Sequence, residues 1–298
     1  MARTAVIETR GLTRRYGERV GLEDVDLAVG EGTVFGFLGP NGAGKTTAIR
    51  LLLGFLRPSA GSASVLGLDC WRDSHRIKRD VGYLPSDLRL WPWMTAESAL
   101  RVAGRVRGRD LGPAGRALAE RFELEPDVRV RAMSRGMRQK LGVVLALAHD
   151  PRLLVLDEPT GGLDPLMQDE LTRLLRERAE AGCTVFFSSH TLSEVEATCD
   201  RVAIVRRGRI VADETLEVLR GRARHRVQVV FRDAEAARRA EPPAALVVLE
   251  RSGARLVGEL DGPAGALAPW LAGQDVADFV VHPPDLETLF RGFYREEK

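Results

Sequence analysis

Cysteine is scarce in this sequence, and the three present, Cys70, Cys183 and Cys199, show no Cys-x-x-Cys spacing. Neither a zinc site nor a disulfide framework is indicated, and a reducing, cytoplasmic compartment is the expectation. Asparagine is scarcer still: Asn41 is the only one, so the Asn-Lys-x-Asp motif with which GTPases read guanine is excluded. Lysine occurs only at positions 45, 78, 140 and 298, and arginine carries nearly all the positive charge. The formal net charge is only +2, so nothing in the global balance calls for nucleic acid as a partner. No apolar run approaches the ~20 residues needed to span a bilayer. The first residues, Met1-Ala2-Arg3-Thr4-Ala5-Val6-Ile7, lack the apolar core of a signal peptide. Any action at a membrane is therefore expected from its surface.

What is present is ordinary globular material: 298 residues, 44% hydrophobic and 29% charged, enough for two domains. One stretch stands out, Gly39-Pro40-Asn41-Gly42-Ala43-Gly44-Lys45-Thr46-Thr47. It follows an apolar run, Thr33–Leu38, that reads as a buried strand, and precedes Ala48–Leu53, which reads as a helix. That is the strand–loop–helix setting of a G-x-x-x-x-G-K-[ST] phosphate loop. Glycines let successive N–H groups turn toward an anion, and the helix N-terminus adds partial positive charge there. Lys45 is placed to reach the β- and γ-phosphates and the Thr46 hydroxyl to ligate Mg²⁺.

Short β-like runs alternate with turns over residues 4–38, at Ala5–Glu8 and Val25–Val29, with Tyr16 between them. Beyond the loop come a turn at Pro58–Gly61, a charged helix near Ser74–Asp80 and a strand Val81–Leu84 ended by Pro85. Residues 95–150 read as mostly helical. Alternation then resumes with strand Leu153–Leu156, helix Pro165–Glu180, strand Thr184–Phe187, helix Leu192–Thr198 and strand Val202–Val205. A helical insertion in an α/β domain is the expected architecture. After Arg220-Gly221-Arg222 the order becomes strand 226–231, helix 233–240, strands near 246–250 and 255–260, helix 264–272, strand 277–281 and a last helix from Pro284. This suggests a small α+β domain of split-βαβ type. The expected domains are thus 1–220, with its helical insertion at about 95–150, and 221–298.

A phosphate loop alone does not separate kinases, helicases and transport ATPases. Leu153-Leu154-Val155-Leu156-Asp157-Glu158 adds a buried strand ending in two acids. Asp157 is placed to hold Mg²⁺ or its water, and Glu158 to polarise the water that attacks the γ-phosphate. Met133-Ser134-Arg135-Gly136-Met137-Arg138-Gln139-Lys140 enters an apolar helix from Leu141, with Ser134 as its N-cap.

Taken together, these motifs resemble, in the family's own order, the nucleotide-binding subunits of ABC transporters of the drug- and antibiotic-export type with separate membrane subunits. The resemblance runs from about residue 4 to 220. Gly39–Thr47 is similar to Walker A, Leu153–Glu158 to Walker B with its catalytic glutamate, and Ser134–Gln139 to the signature motif. Gly162-Leu163-Asp164 is similar to the D-loop, His190 to the switch histidine and Tyr16 to the aromatic that stacks on adenine. The resemblance implies a P-loop NTPase fold with a RecA-like core, an antiparallel β subdomain and a helical insertion. It implies ATP and Mg²⁺ as ligands and hydrolysis driven by head-to-tail pairing of two cassettes. The partners would be a second cassette, identical or paralogous, and a separate permease, on the cytoplasmic face of the cell membrane.

Two positions depart from the family pattern. Ser86 stands where glutamine is usual, and its shorter side chain leaves a metal role at that position open, with a bridging water, substitution by Asp87 or looser Mg²⁺ coordination as alternatives. Arg135 replaces the signature's usual glycine and would add positive charge facing the γ-phosphate. The cluster Leu90-Trp91-Pro92-Trp93-Met94 reads equally as a permease contact or as a small core under the helical insertion. The rival function is a soluble ABC ATPase acting on ribosomes or DNA. Translation-type members usually carry two cassettes in one chain, and repair types carry long coiled-coil or zinc-hook insertions; neither is present.

Overall fold

A computed structural model describes residues 5–222 and 224–284. The chain divides into two compact units at Leu216/Glu217.

The first unit opens with a long hairpin, β1 (Ala5–Tyr16) and β2 (Arg19–Gly30). The short runs expected from the sequence are longer here. Register shifts along the pair let polar residues continue the ladder beyond the apolar segments. Next come β3 (Val34–Leu38), α1 (Lys45–Leu52), β4 (Ala60–Val65), β5 (Leu68–Asp69), α2 (Ser74–Asp80) and β6 (Val81–Leu84). The helical insertion comprises α3 (Ala96–Arg107), α4 (Gly112–Arg121) and α5 (Arg135–Leu147). Thr95 and Ser98 form a reciprocal capping box at α3, and Ser134 caps α5 by accepting the Met137 N–H at 3.1 Å. The unit is completed by β7 (Leu153–Asp157), α6 (Pro165–Glu180), β8 (Thr184–Ser189), α7 (Leu192–Thr198), β9 (Arg201–Arg206) and β10 (Arg209–Thr215). Strand β10 lies outside the alternation read from sequence. It forms an antiparallel edge, turning back from β9 through Arg207 and Gly208 at positive φ.

Two sheets result. One is antiparallel in the order β2-β1-β4-β5; the other runs β10-β9-β3-β8-β7-β6 and is parallel apart from β10. Every residue of β3, β7 and β8 is buried, as central parallel strands require when both faces are covered. Phe35 and Phe186 stack at 5.8 Å between ring centroids, with Phe37 at 5.5 Å from Phe186. Each such aromatic contributes roughly 1.5–3 kcal/mol by leaving water. The consequence for function is positional. The phosphate loop, Glu158 and His190 follow β3, β7 and β8, three neighbouring strands, at their carboxyl ends, where open α/β sheets bind ligands.

The second unit begins within α8 (Leu216–Arg222), then runs β11 (His225–Phe231), α9 (Ala234–Arg239), β12 (Leu246–Ser252), β13 (Arg255–Leu260), α10 (Ala268–Ala272) and β14 (Val276–Pro284). Its sheet is antiparallel in the order β12-β13-β11-β14, an α+β arrangement with its own core of Val227, Val229, Phe231, Leu246, Leu256 and Leu260. The helix read at 264–272 is in fact a 3₁₀ turn, Ala264–Leu267, followed by α10, whose Pro269 sits in the first turn. The last helix expected from Pro284 lies outside the described residues.

Candidate functional site

The loop between β3 and α1 is shaped by glycine where nothing else fits. Gly44, the N-cap of α1, has φ 113°, and a Cβ there would meet the Gly21 carbonyl oxygen at 2.5 Å. The helix starts at Lys45, three residues earlier than the apolar run suggests, so its first N–H groups belong to the loop. Lys45 is 5% exposed, and its ammonium donates to Gly39 O at 2.7 Å and Pro40 O at 3.3 Å. Thr46 Oγ1 donates to Asp157 Oδ2 at 2.9 Å.

Asp157 is almost fully buried at the end of β7, and Ser188 on the adjacent β8 donates to its other oxygen at 2.6 Å. Ser188 also anchors the next residue: the Glu158 N–H points at Ser188 O and Oγ, at 3.2 and 3.1 Å. Glu158 has φ 53°, a left-handed conformation that turns its carboxylate out of the strand direction. Its Oε1 lies 3.3 Å from Lys45 Nζ and 3.4 Å from His190 Nδ1. Burial, and then the charge of Asp157, raise the pKa of Tyr83 on β6.

The surrounding cleft has a volume of about 520 Å³ and is lined by Tyr16, Asn41, Gly42, Gly44, Lys45, Thr46, Thr47 and Glu158. Arg19 and Arg50, not singled out from sequence, also line it and add positive charge suited to a polyphosphate. Tyr16 ends β1 at the hairpin tip, where it pairs with Arg19. Its ring is 42% exposed, with the Arg14 guanidinium 4.9 Å from the centroid.

Ser134, Gly136 and Asp164 do not line this cleft. They cluster with one another instead. Asp164 caps α6 by accepting the Met167 N–H at 3.0 Å, and a Cβ on Gly136 would meet Gly162 O at 2.6 Å. Arg135 packs on the same turn: a Cβ at Gly162 would touch its Cγ at 3.1 Å. Ser86 and Asp87 are exposed outside the cleft, and Asp87 pairs with Arg89 at 2.9 Å. Gln139 of α5, buried, donates to Pro159 O at 2.7 Å and so ties the helical insertion to the backbone beside Glu158.

The family model described as "ABC transporter" matches residues 22–161. The chain is 35% identical over 233 residues to the bacitracin transport ATP-binding protein of Bacillus licheniformis, covering 77% of this chain and 76% of that one. It is 38% identical over 240 residues to a daunorubicin resistance ATP-binding protein of Streptomyces coeruleorubidus, covering 78% and 76%. The chain belongs to the ATP-binding subunits of ABC transporters. The match to the Nod factor export ATP-binding protein I of Cupriavidus pinatubonensis, 34% identical, extends over 97% of this ATP-binding subunit and 90% of the relative. A solved ATP-binding subunit of an ABC transporter superposes with a TM-score of 0.68 at 31% identity, covering 73% of this chain and 92% of that one. The fold is that of the ABC ATPase cassette, and its chemistry is ATP hydrolysis.

Proposed function

We propose that this subunit hydrolyses ATP to energise an exporter of the drug or antibiotic class, paired with a second cassette and seated on a separate permease. The observation that carries the reading is the convergence of Lys45, Thr46, Asp157, Glu158 and His190 at the carboxyl ends of three adjacent strands. The names of the bacitracin, daunorubicin and Nod factor relatives support export as the work performed.

Loop N–H groups and Lys45 hold the phosphates, and Tyr16 offers its exposed ring to the base. The Thr46 hydroxyl and the Asp157 carboxylate, hard oxygen donors side by side, fit Mg²⁺, and no described cluster of three His, Cys, Asp or Glu side chains offers a rival metal site. Bound there, the ion would neutralise charge on the phosphates. Glu158 takes the proton of the attacking water, while His190 holds the carboxylate and faces the γ-phosphate. Ser134, Gly136 and Asp164 close over the ATP of the opposite cassette, which is why they stand apart from the cleft of their own chain. Trp91 and Trp93, stacked at 6.2 Å and 59% and 61% exposed, suit a contact with the permease more than a core; Met94 alone of that cluster is buried. No described helix is long and apolar enough to cross a membrane.

The test is Glu158→Gln. Hydrolysis should fall at least about a hundredfold, the scale of a lost general base, while ATP binding persists. Undiminished turnover would overturn the reading.

A further inference from the structure

Glu194 lies in the first turn of α7, four residues after His190, and nothing in the motif pattern marks it. Its two carboxylate oxygens accept hydrogen bonds from two different segments. Thr160 Oγ1 donates to Oε1 at 2.7 Å, and Ser189 Oγ donates to Oε2 at 2.5 Å. Thr160 stands two residues after Glu158; Ser189 immediately precedes His190. The Ser189 hydroxyl is itself fixed, accepting the Thr191 N–H at 2.8 Å on the far side of the histidine.

One carboxylate therefore spans the two backbone turns whose side chains meet in the Glu158–His190 contact at 3.4 Å. A surface glutamate in a first helical turn ordinarily serves the helix dipole or an ion pair. Glu194 is half-buried, and among the described residues no Lys, Arg or His forms an ion pair with it. Both of its oxygens go to hydroxyls, and charge-assisted hydrogen bonds of this kind are short and directional. Besides this bridge, the described contacts between the two turns near the site are the β7–β8 ladder, which ends at Asp157 and Ser188, the Ser188 bonds to the Glu158 N–H, and the Glu158–His190 pair itself.

We propose that Glu194 is a positioning residue for hydrolysis, a carboxylate strut that sets the distance between Glu158 and His190. The proposal rests on the catalytic reading of those two residues and assigns Glu194 no contact with ATP. Its loss loosens the geometry of the attack and leaves nucleotide binding intact, because Lys45, Thr46 and Tyr16 are held by other contacts.

The experiment measures kcat, KM for ATP and melting temperature of the full chain carrying Glu194→Gln, Thr160→Val, or both. Each single change is expected to lower kcat on the order of tenfold, since small misplacements of catalytic groups are costly, with KM within about twofold. The double variant should lose no more than the worse single one, because the two groups form one bridge. An unchanged kcat overturns the proposal. So does a fall in kcat matched by a lower melting point and a raised KM, which marks a structural role only. Multiplicative losses in the double variant also overturn it. Should Glu194→Gln not fold, Thr160→Val alone decides through the same split of kcat from KM. Failure of the underlying catalytic reading is distinct: it would appear as full activity in His190→Ala.

Discussion

At the scale of single residues, the site depends on side chains that the motifs do not name. Ser188 gives its one proton to Asp157 and receives the Glu158 N–H, so one hydroxyl orients the carboxylate proposed to hold Mg²⁺ and the backbone of the proposed general base. Ser188→Ala removes both hydroxyl contacts; the Glu158 N–H keeps the carbonyl of residue 188 at 3.2 Å, but a buried Asp157 oxygen is left short of its donor. Stability should fall by about 1–3 kcal/mol, the cost of unsatisfied buried groups, visible as a lower urea midpoint. Hydrolysis should fall further than stability accounts for, by roughly tenfold, because Asp157 loses its fixed rotamer. A variant with wild-type turnover would show that Thr46 alone suffices to hold Asp157. The difference in legibility has a physical cause. Lys45, Thr46, Asp157 and Glu158 sit in contiguous runs whose chemistry reads directly. Ser188 and Glu194 matter through strand register, Asp157 opposite Ser188, and through a turn that folds Thr160 onto α7. Neither relation leaves a local signal. Arg135 shows the converse: its charge was legible, but the stem packs on the Gly161–Gly162 turn, a contact only the fold creates.

At the scale of elements, periodicity and caps carried most of the fold. Fully apolar runs became the central strands and Ser134 the N-cap of α5, while Asp164, read only in the D-loop resemblance, caps α6. What escaped was β10, whose half-exposed residues hold no clean alternation and whose pairing is fixed by the turn after β9. The contact between α5 and the turn before α6 is likewise tertiary, and it makes Gly136 a test of packing. Alanine in the first turn of a helix gains up to about 1 kcal/mol over glycine from propensity. Against this, the new methyl would stand 2.6 Å from Gly162 O, a backbone atom that moves only if the turn moves. Overpacking of this kind costs about 1–3 kcal/mol, so the clash outweighs the propensity gain. Gly136→Ala is expected to lower the melting temperature and to cut ATPase activity while nucleotide binding by the isolated chain stays near wild type. A raised melting temperature would mean that the turn yields freely.

At the scale of the whole molecule, the arrangement of half-sites is the argument for pairing. Lys45, Thr46 and Glu158 line one cleft, with Asp157 bonded to Thr46 and His190 beside Glu158, whereas Ser134, Gly136 and Asp164 lie outside its lining, Ser134 and Asp164 each capping a helix start. A helix N-terminus that faces no anion in its own chain is suited to an anion presented by another. Complementation separates this from a site complete within one chain. Lys45→Ala disables the phosphate loop. Ser134→Asp keeps the cap, since aspartate caps as well as serine, but sets a negative charge against the γ-phosphate. Each variant alone should be inactive. In a head-to-tail pair of one with the other, one site joins both lesions and the second joins an intact loop to an intact signature. Random mixing gives about half mixed pairs with one good site in two, so the mixture should recover about a quarter of wild-type hydrolysis if the sites act independently. Activity that stays at the level of the separate variants would exclude a shared site. Recovery at equal protein would exclude a site complete within one chain, because no single polypeptide in the mixture carries both halves.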